Sequence, residues 1–276
     1  MSYLSLNSWS LHRLLGPLHW TSWDAETQTH QTTDHEQPLE LTLLELPAVA
    51  AAKGYQAIEV CHFHFPSTEA AYLQQLRDSF SAACLSFDTL LVDYGDLTSP
   101  EAARREADYQ LMQQWIDVAA ACGAKQVRII AGEAEPTDHA AIRQSAEALV
   151  KLVDYGAARG VKIVTENFKR LTSIGDSCME LLEQAGDSLD LITDFGNFSG
   201  PAKYEDIGRT AVRSVSIHVK AINNEHGYPD QDELRRCLDQ VQASGFDGAY
   251  VLVYDGPGDM WEGLERVKAI VQPYIA

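Results

Sequence analysis

Short runs rich in Val, Ile and Leu recur from end to end of the chain, each followed by a polar loop and a longer amphipathic stretch. The runs are Leu4–Leu6, Ala57–Cys61, Ser86–Val92, Gln126–Ile130, Val161–Thr165, Leu189–Thr193, Val215–His218 and Ala249–Val253. Few polar residues alternate within them, the pattern of strands buried on both faces of a parallel sheet. Helical spacing fills the intervening stretches. Ile142, Ala146, Leu149, Val153 and Ala157 repeat every three or four residues, as do Leu234, Leu238 and Val241, and Leu264, Val267, Val271 and Tyr274. Ser99 before Pro100 predicts an N-cap and first helical residue. Asp230 with Glu233, and Asp259 with Glu262, predict capping boxes. Gly54, Gly123, Gly160 and Gly245 stand where left-handed C-caps would precede strands.

Eight strand–helix units in 276 residues is about 34 residues each, which predicts a single-domain (β/α)8 TIM barrel over residues 1–276. The structural rival, a doubly wound open sheet, lacks its functional marker: no GxGxxG or P-loop glycine pattern follows the first strand. One unit breaks the rhythm. Between Trp9 and Leu39 lie about 30 residues rich in His, Thr, Gln and Trp, too polar for a first helix. An insertion after a barrel strand lies on the catalytic face, so a lid or hairpin over the site is expected, with a plain surface loop as the alternative. Trp20 and Trp23 favour the lid, since indoles seldom make no contact.

The composition is ordinary for a globular chain, 45% hydrophobic and 22% charged, and excludes collagen-like and wholly disordered classes. Charge changes the picture more. Lys and Arg number 21 against 40 Asp and Glu, a formal charge of −19, so neither nucleic acid nor a membrane is an expected partner. Cys61, Cys84, Cys122, Cys178 and Cys237 are odd in number and form no CxxC pair, which suggests neither a structural zinc site nor a disulfide framework. The N-terminal segment lacks the cationic start and apolar run of a signal peptide. No apolar stretch approaches the roughly 18 residues needed to span a bilayer. A reduced, cytoplasmic protein is the expectation.

In a barrel the chemistry is assembled at the C-terminal ends of the strands. Three residues there suit a divalent cation such as Mn²⁺, Mg²⁺ or Zn²⁺: Glu166 ends the fifth run, Asp194 the sixth and His218 the seventh. Singly, each has a plainer explanation, an acid as a helix cap and a histidine as a bonded core residue. Arg128, inside the fourth strand, needs a carboxylate partner, with Glu59 and Glu166 as the geometric choices. In CHFHF, His62 and His64 can face the pocket together with Phe63 pointing away. Asp93 and Asp96, around Gly95, suit either a site or a turn. Lys169 and Lys220 suit either a substrate anion or a solvated rim. His12, His19, His30 and His35 lack metal-type spacing.

Taken in order, the ENF segment at Glu166–Phe168, TDFGN at Thr193–Asn197, SIHVK at Ser216–Lys220 and YDGPGD at Tyr254–Asp259 resemble the sugar phosphate isomerase/epimerase family with the xylose isomerase-like barrel. The resemblance covers essentially the whole chain. It implies a divalent-metal site of four ligands, a Glu, an Asp, a His and a second Glu ending strand eight. It also implies a small sugar, sugar phosphate, inositol or hydroxy-keto acid as substrate, and it is compatible with a homodimer. In the family pattern the first and last Glu are ligands and proton-transfer groups, so Glu166 is the expected catalytic residue. Trp9, His64, Asn197 and Lys220 are the expected substrate contacts.

The chain departs from that pattern at two points. Val253 stands where the second Glu belongs, and Asn197 stands where many relatives have a substrate-contacting His. Valine neither coordinates a cation nor carries a proton, and loss of one acid/base group costs on the order of 10²–10⁴ in rate. Asp255, two residues on, lies roughly 6.6 Å further along a strand. The resemblance therefore implies an atypical isomerase with a three-ligand, weaker or absent metal site. Its rival is a catalytically impaired barrel that binds a sugar-like ligand without converting it. Endonuclease action at abasic DNA, which shares this fold, needs a basic groove that a charge of −19 does not supply.

Overall fold

A computed structural model describes residues 1–275. Strand β1 (Tyr3–Asn7) leads into the antiparallel hairpin β2 (Leu18–Asp24) and β3 (Thr29–His35), then helix α1 (Leu46–Ala52). The chain then alternates: β4 (Ala57–Cys61), α2 (Ala70–Ala82), β5 (Ser86–Leu91), α3 (Ala102–Cys122), β6 (Gln126–Arg128), α4 (His139–Ala157). It continues with β7 (Lys162–Glu166), α5 (Gly175–Ala185), β8 (Asp190–Asp194), α6 (Lys203–Ala211), β9 (Ser214–Lys220), α7 (Gln231–Ala243), β10 (Ala249–Val253) and α8 (Met260–Val271). Strands β1 and β4–β10 close in chain order into a parallel (β/α)8 barrel, with β10 paired to β1. The predicted barrel is thus observed. Among the described residues no helix is long and apolar enough to cross a membrane.

Two apolar regions follow from a strand's two faces. The larger lies between strands and helices and runs the length of the chain, from Leu4 to Val271. The smaller fills the barrel mouth with Cys61, Leu91, Val164 and Ile192, capped by Leu18 and Phe63. Two register shifts interrupt the ladder. Between β4 and β5 the partner of Ile58 is Phe87 while that of Glu59 is Thr89, so Asp88 is bulged. Between β8 and β9, Leu191 pairs with Ser214 but Ile192 with Ser216, so Val215 is bulged. A bulge re-aims the side chains that follow it.

The insertion after β1 is a hairpin, as one of the two expectations had it. Trp23 Nε1 donates to Glu101 Oε2 at 3.1 Å, and His30 Nε2 meets the buried Asp108 Oδ1 at 2.7 Å. That anchorage accompanies a correction. Helix α3 starts at Ala102 rather than Pro100, with Glu101 extended before it and Ser99 Oγ accepting from the Glu101 N–H. Strand β6 also stops at Arg128, short of Ile130. The Asp230 and Asp259 caps accept from the N–H of Glu233 and Glu262 as predicted, and the four expected capping glycines all have positive φ.

A second correction concerns CHFHF. His62–His64 is a turn of 3-10 helix, with three residues per turn in place of a strand's two. Phe63 therefore faces the mouth, and both histidines are buried behind it. His62 Nδ1 accepts the Asp93 N–H at 3.1 Å, and His64 Nδ1 shares a hydrogen bond with Ser8 Oγ at 2.9 Å. Burial lowers both imidazoles, His62 to about 4 and His64 to about 3, against partial opposition from Asp93. His12, His19 and His62 push His64 down further.

The YDGPGD segment has a structural share as well. The Tyr254 hydroxyl donates to the Pro257 carbonyl at 2.6 Å, and the ring lies against α8 at Gly263, where an added Cβ would fall inside van der Waals contact with three ring atoms. Gly263→Ala should thus lower the unfolding free energy by about 1–3 kcal/mol although alanine favours helix; an unchanged or raised urea midpoint would contradict this packing. A pH effect follows from the buried imidazoles. Between the ordinary value of 6.5 and the folded value near 3 the unfolded chain takes up a proton that folded His64 does not, so stability falls with falling pH. His64→Gln should flatten that dependence by up to about 1.4 kcal/mol per pH unit, read from denaturation curves between pH 6.5 and 4; curves that stay parallel would place His64 in contact with solvent.

Candidate active site

A cavity of about 270 Å³ opens at the C-terminal ends of the strands, beneath the hairpin. Its floor is polar because inward positions near the strand ends carry charges. Glu166 ends β7, Asp194 ends β8, and His218 is level with Asp194 in the β8–β9 register. One donor atom from each lies within 4.8 Å of the others, and all three residues are buried. His218 Nδ1 is 3.3 Å from Glu166 Oε1 and 3.6 Å from Asp194 Oδ2. The surrounding carboxylates Glu59, Glu166 and Asp194 raise the imidazole well above its ordinary value despite burial. Asp194 is fixed from behind: its Oδ1 accepts the Gly196 N–H at 2.5 Å, while Asn167 Nδ2 donates to its carbonyl at 3.0 Å.

Arg128 pairs with Glu166, one of the two carboxylates expected, and with Asp93, which was not expected. It lies 2% exposed between Asp93 Oδ1, at 2.6 Å from Nη2, and Glu166 Oε2, at 2.9 Å from Nε. Glu59 is not its partner. Burial opposes the charge of Arg128, and the adjacent Asp93 and Glu166 overcome that and raise its pKa. The contact with Glu166 is misaligned for hydrogen bonding, so Arg128 Nε and Glu166 Oε2 both remain without a hydrogen-bond partner. Asn197 Nδ2 donates to the other oxygen, Oε1, at 3.2 Å.

Glu166 Oε1 and Asp194 Oδ2, facing His218 Nδ1 at 3.3 and 3.6 Å, form with it a donor set of two carboxylates and an imidazole that fits a divalent cation. Oxygen and nitrogen ligands lie at about 2.0–2.4 Å from Mg²⁺, Mn²⁺ or Zn²⁺, so opposed donors span roughly 4–5 Å. The residues present thus suit the cation that the strand-end pattern suggested.

The walls divide by chemistry. Trp9, Trp20 from the hairpin and Phe63 form an aromatic corner, with Trp20 and Phe63 centroids 4.3 Å apart and Trp9 stacked on His12 at 4.2 Å. Lys220 and Asp255 stand at the rim, 3.2 Å apart. Gly196 is a glycine for a reason: a Cβ there would meet Lys220 Cδ at 2.8 Å, so the lysine stem runs across the bare backbone toward the cavity. Val253 also lines the cavity, level with Lys220 in the β9–β10 register.

Of the residues singled out from sequence, Glu166, Asp194, His218, Trp9, Asn197 and Lys220 all line this one cavity. His64 does not. Asp93, which suited either a site or a turn, lines it, and Cys61, Phe63 and Phe168 line it without having been proposed as site residues. Asp96 is a turn residue, its Oδ1 accepting the Thr98 N–H at 2.9 Å.

Several solved structures share this architecture. D-allulose 3-epimerase from Methylomonas sp. aligns at a TM-score of 0.69 with 14% identity, covering 99% of this chain and 97% of its own. A xylose isomerase-like TIM barrel protein from Mycobacterium smegmatis, solved in complex with magnesium, aligns at 0.67 with 13% identity, covering 99% and 98%. The probable 3-DHS dehydratase involved in petrobactin synthesis from Bacillus anthracis aligns at 0.69 with 15% identity, covering 98% and 99%. Identities this low establish a common fold. No curated protein sequence matches the chain. The xylose isomerase-like TIM barrel family matches residues 47–270, and the chain belongs to that family.

Proposed function

We propose that this protein is a sugar isomerase/epimerase-like enzyme acting on a small polyhydroxylated carbonyl compound, with a divalent cation held by Glu166, Asp194 and His218. The observation that carries the reading is the gathering of those three donors within 4.8 Å at the barrel mouth. When bound, the cation supplies Lewis-acid stabilisation of negative charge developing on substrate oxygens.

The chain supplies the rest. Glu166 is the proton-transfer group: it lines the cavity, with Oε1 held by Asn197 and Oε2 paired with Arg128 Nε at 2.9 Å. A carboxylate so placed takes a proton from the hydroxyl-bearing carbon next to a carbonyl and returns it to the carbonyl carbon, while the hydroxyl proton passes to the former carbonyl oxygen. Trp9, Trp20 and Phe63 cover the apolar C–H face of the ligand. Asn197 and Lys220 offer N–H donors to its hydroxyl groups. His64, behind the wall, has no part in this reading.

Val253 refines the reaction. With Glu166 as the proton-transfer carboxylate and none at position 253, removal and return occur from one face of the substrate. Hydrogen transfer between adjacent carbons needs only one face, whereas inversion at a carbon needs acid and base on both. An aldose–ketose type of exchange is therefore favoured over epimerisation. Val253 also supports the second reading, a barrel that binds a sugar-like ligand without converting it.

Purified protein should give a saturable Mn²⁺ isotherm by calorimetry and, with a panel of sugars and sugar acids in D₂O, incorporate deuterium into its substrate. Glu166→Gln should slow that exchange by about 10²–10⁴-fold with an unaltered circular dichroism spectrum. Normal turnover by the variant would remove Glu166 from the base role, and saturable ligand binding without exchange in the wild-type protein would establish the second reading.

A further inference from the structure

The charge buried deepest in the barrel belongs to none of the three donors. Glu59 sits in the middle of β4, fully buried, inside a run that is otherwise apolar (AIEVC). Both its oxygens are engaged. Oε2 lies 2.6 Å from His218 Nε2. Oε1 accepts from Thr89 Oγ1 at 2.8 Å and from Ser216 Oγ at 3.2 Å. Gln126 Nε2 in turn donates to Thr89 Oγ1 at 2.8 Å, so the Thr89 hydroxyl is free to give its own proton only to Glu59.

The two register shifts of the barrel fall next to these partners. The bulge at Asp88 immediately precedes Thr89, and the bulge at Val215 immediately precedes Ser216, with His218 two residues further on the same face. Without the first slip Thr89 would not stand opposite Glu59. Without the second, Ser216 and His218 would face the helices. Two separate irregularities thus deliver three donors to one carboxylate.

The consequence falls on the imidazole. A histidine has two ring nitrogens, and the hydrogen bond at one decides what the other can do. Here Nε2 is committed as a donor to Glu59, which leaves Nδ1, the nitrogen facing Glu166 and Asp194, as the one available to a cation. We propose that Glu59 is a positioning residue that fixes the ring orientation and tautomer of His218, so that Nδ1 alone is presented to a divalent cation. The proposal rests on the cation reading given above, and it adds the prediction that β4, which contributes no ligand, controls affinity. A carboxylate acceptor behind a ligating histidine also makes it the more basic ligand.

The test uses the full-length chain with ¹⁵N-labelled histidine, wild type and Glu59→Leu and Glu59→Gln variants, with Mn²⁺ affinity read by calorimetry and the His218 ring read by NMR in the zinc-loaded and metal-free states. His218→Asn identifies the resonance. The wild-type protein should show a low-field proton on Nε2 and zinc on Nδ1. Glu59→Leu should lose that proton's low-field position and weaken Mn²⁺ by about 10–100-fold. Glu59→Gln, which keeps an acceptor of the same shape, should keep the Nε2 proton and lose roughly 3–10-fold. Should the leucine variant not fold, the glutamine variant decides. Wild-type Mn²⁺ affinity in either folded variant, or zinc on Nε2, would overturn the proposal. If the wild-type protein takes up neither ion, the cation reading fails by itself. The Glu59 assignment is then judged on the metal-free spectrum, where absence of a low-field Nε2 proton that Glu59→Leu removes would overturn it.

Discussion

Placing ionised side chains inside a barrel is tolerated only when each has a partner, because removing an ion from water costs several kcal/mol even after the protein relaxes. That requirement organises the mouth of this barrel. Arg128 lies between Asp93 and Glu166. His218 lies between Glu59 on one side and Glu166 and Asp194 on the other. No member can be moved without stranding another, so five strands, β4 and β6 to β9, are tied together by charge where a typical barrel stacks branched aliphatic residues. The stabilising apolar area lies elsewhere, in the shell between strands and helices. Stability and chemistry are thereby separated: the shell holds the ring closed, and the ring can accommodate a polar interior.

The same requirement explains why the ladder is irregular. A strand with perfect alternation delivers every second side chain inward, and β9 read without a slip would turn one set of residues through half a turn relative to β8. The bulges at Asp88 and Val215 correct the phase where the network needs it. Asp88 has its own use, since Tyr3 Oη donates to it at 2.6 Å and Lys125 pairs with it at 3.0 Å at the opposite end of the barrel.

These relations mark the boundary of what the chain discloses by itself. The eight runs, their order and the strand-end placement of Glu166, Asp194 and His218 are legible, because burial on two faces leaves an apolar run and a loop begins where it stops. Ala57–Cys61 and Ala249–Val253 coincide with their strands to the residue. Register is another matter. Nothing local says that Asp88 is skipped, so Thr89 and Glu59 cannot be paired by inspection, although a lone Glu inside AIEVC is a signal that a buried charge needs an acceptor role. Asp93 was hidden as the partner of Arg128 because the two are 35 residues apart and meet only when β5 and β6 lie side by side. CHFHF departs from strand alternation for a local reason: the segment coils as 3-10 helix, so Phe63 and its flanking histidines exchange places.

Val253 shows how far the fold alone carries a functional argument. A barrel of this shape serves an epimerase and a probable dehydratase among its structural neighbours, so the outline does not select a reaction. The side chains at the strand ends do. With valine level with Lys220, and Asp255 drawn to that lysine at the rim, no carboxylate faces Glu166 from β10. Under the proposed assignment of Glu166 as base, the β10 side of the cavity offers Val253 and the paired Lys220 and Asp255. On that reading a proton would leave and return on one face, whereas inversion would need a second group on the other. Glu166 itself is restrained: Asn197 donates to one oxygen and Arg128 pairs with the other. Under the proposed assignment its carboxylate has one fixed orientation at the cavity, which suits transfer between neighbouring atoms of one bound molecule.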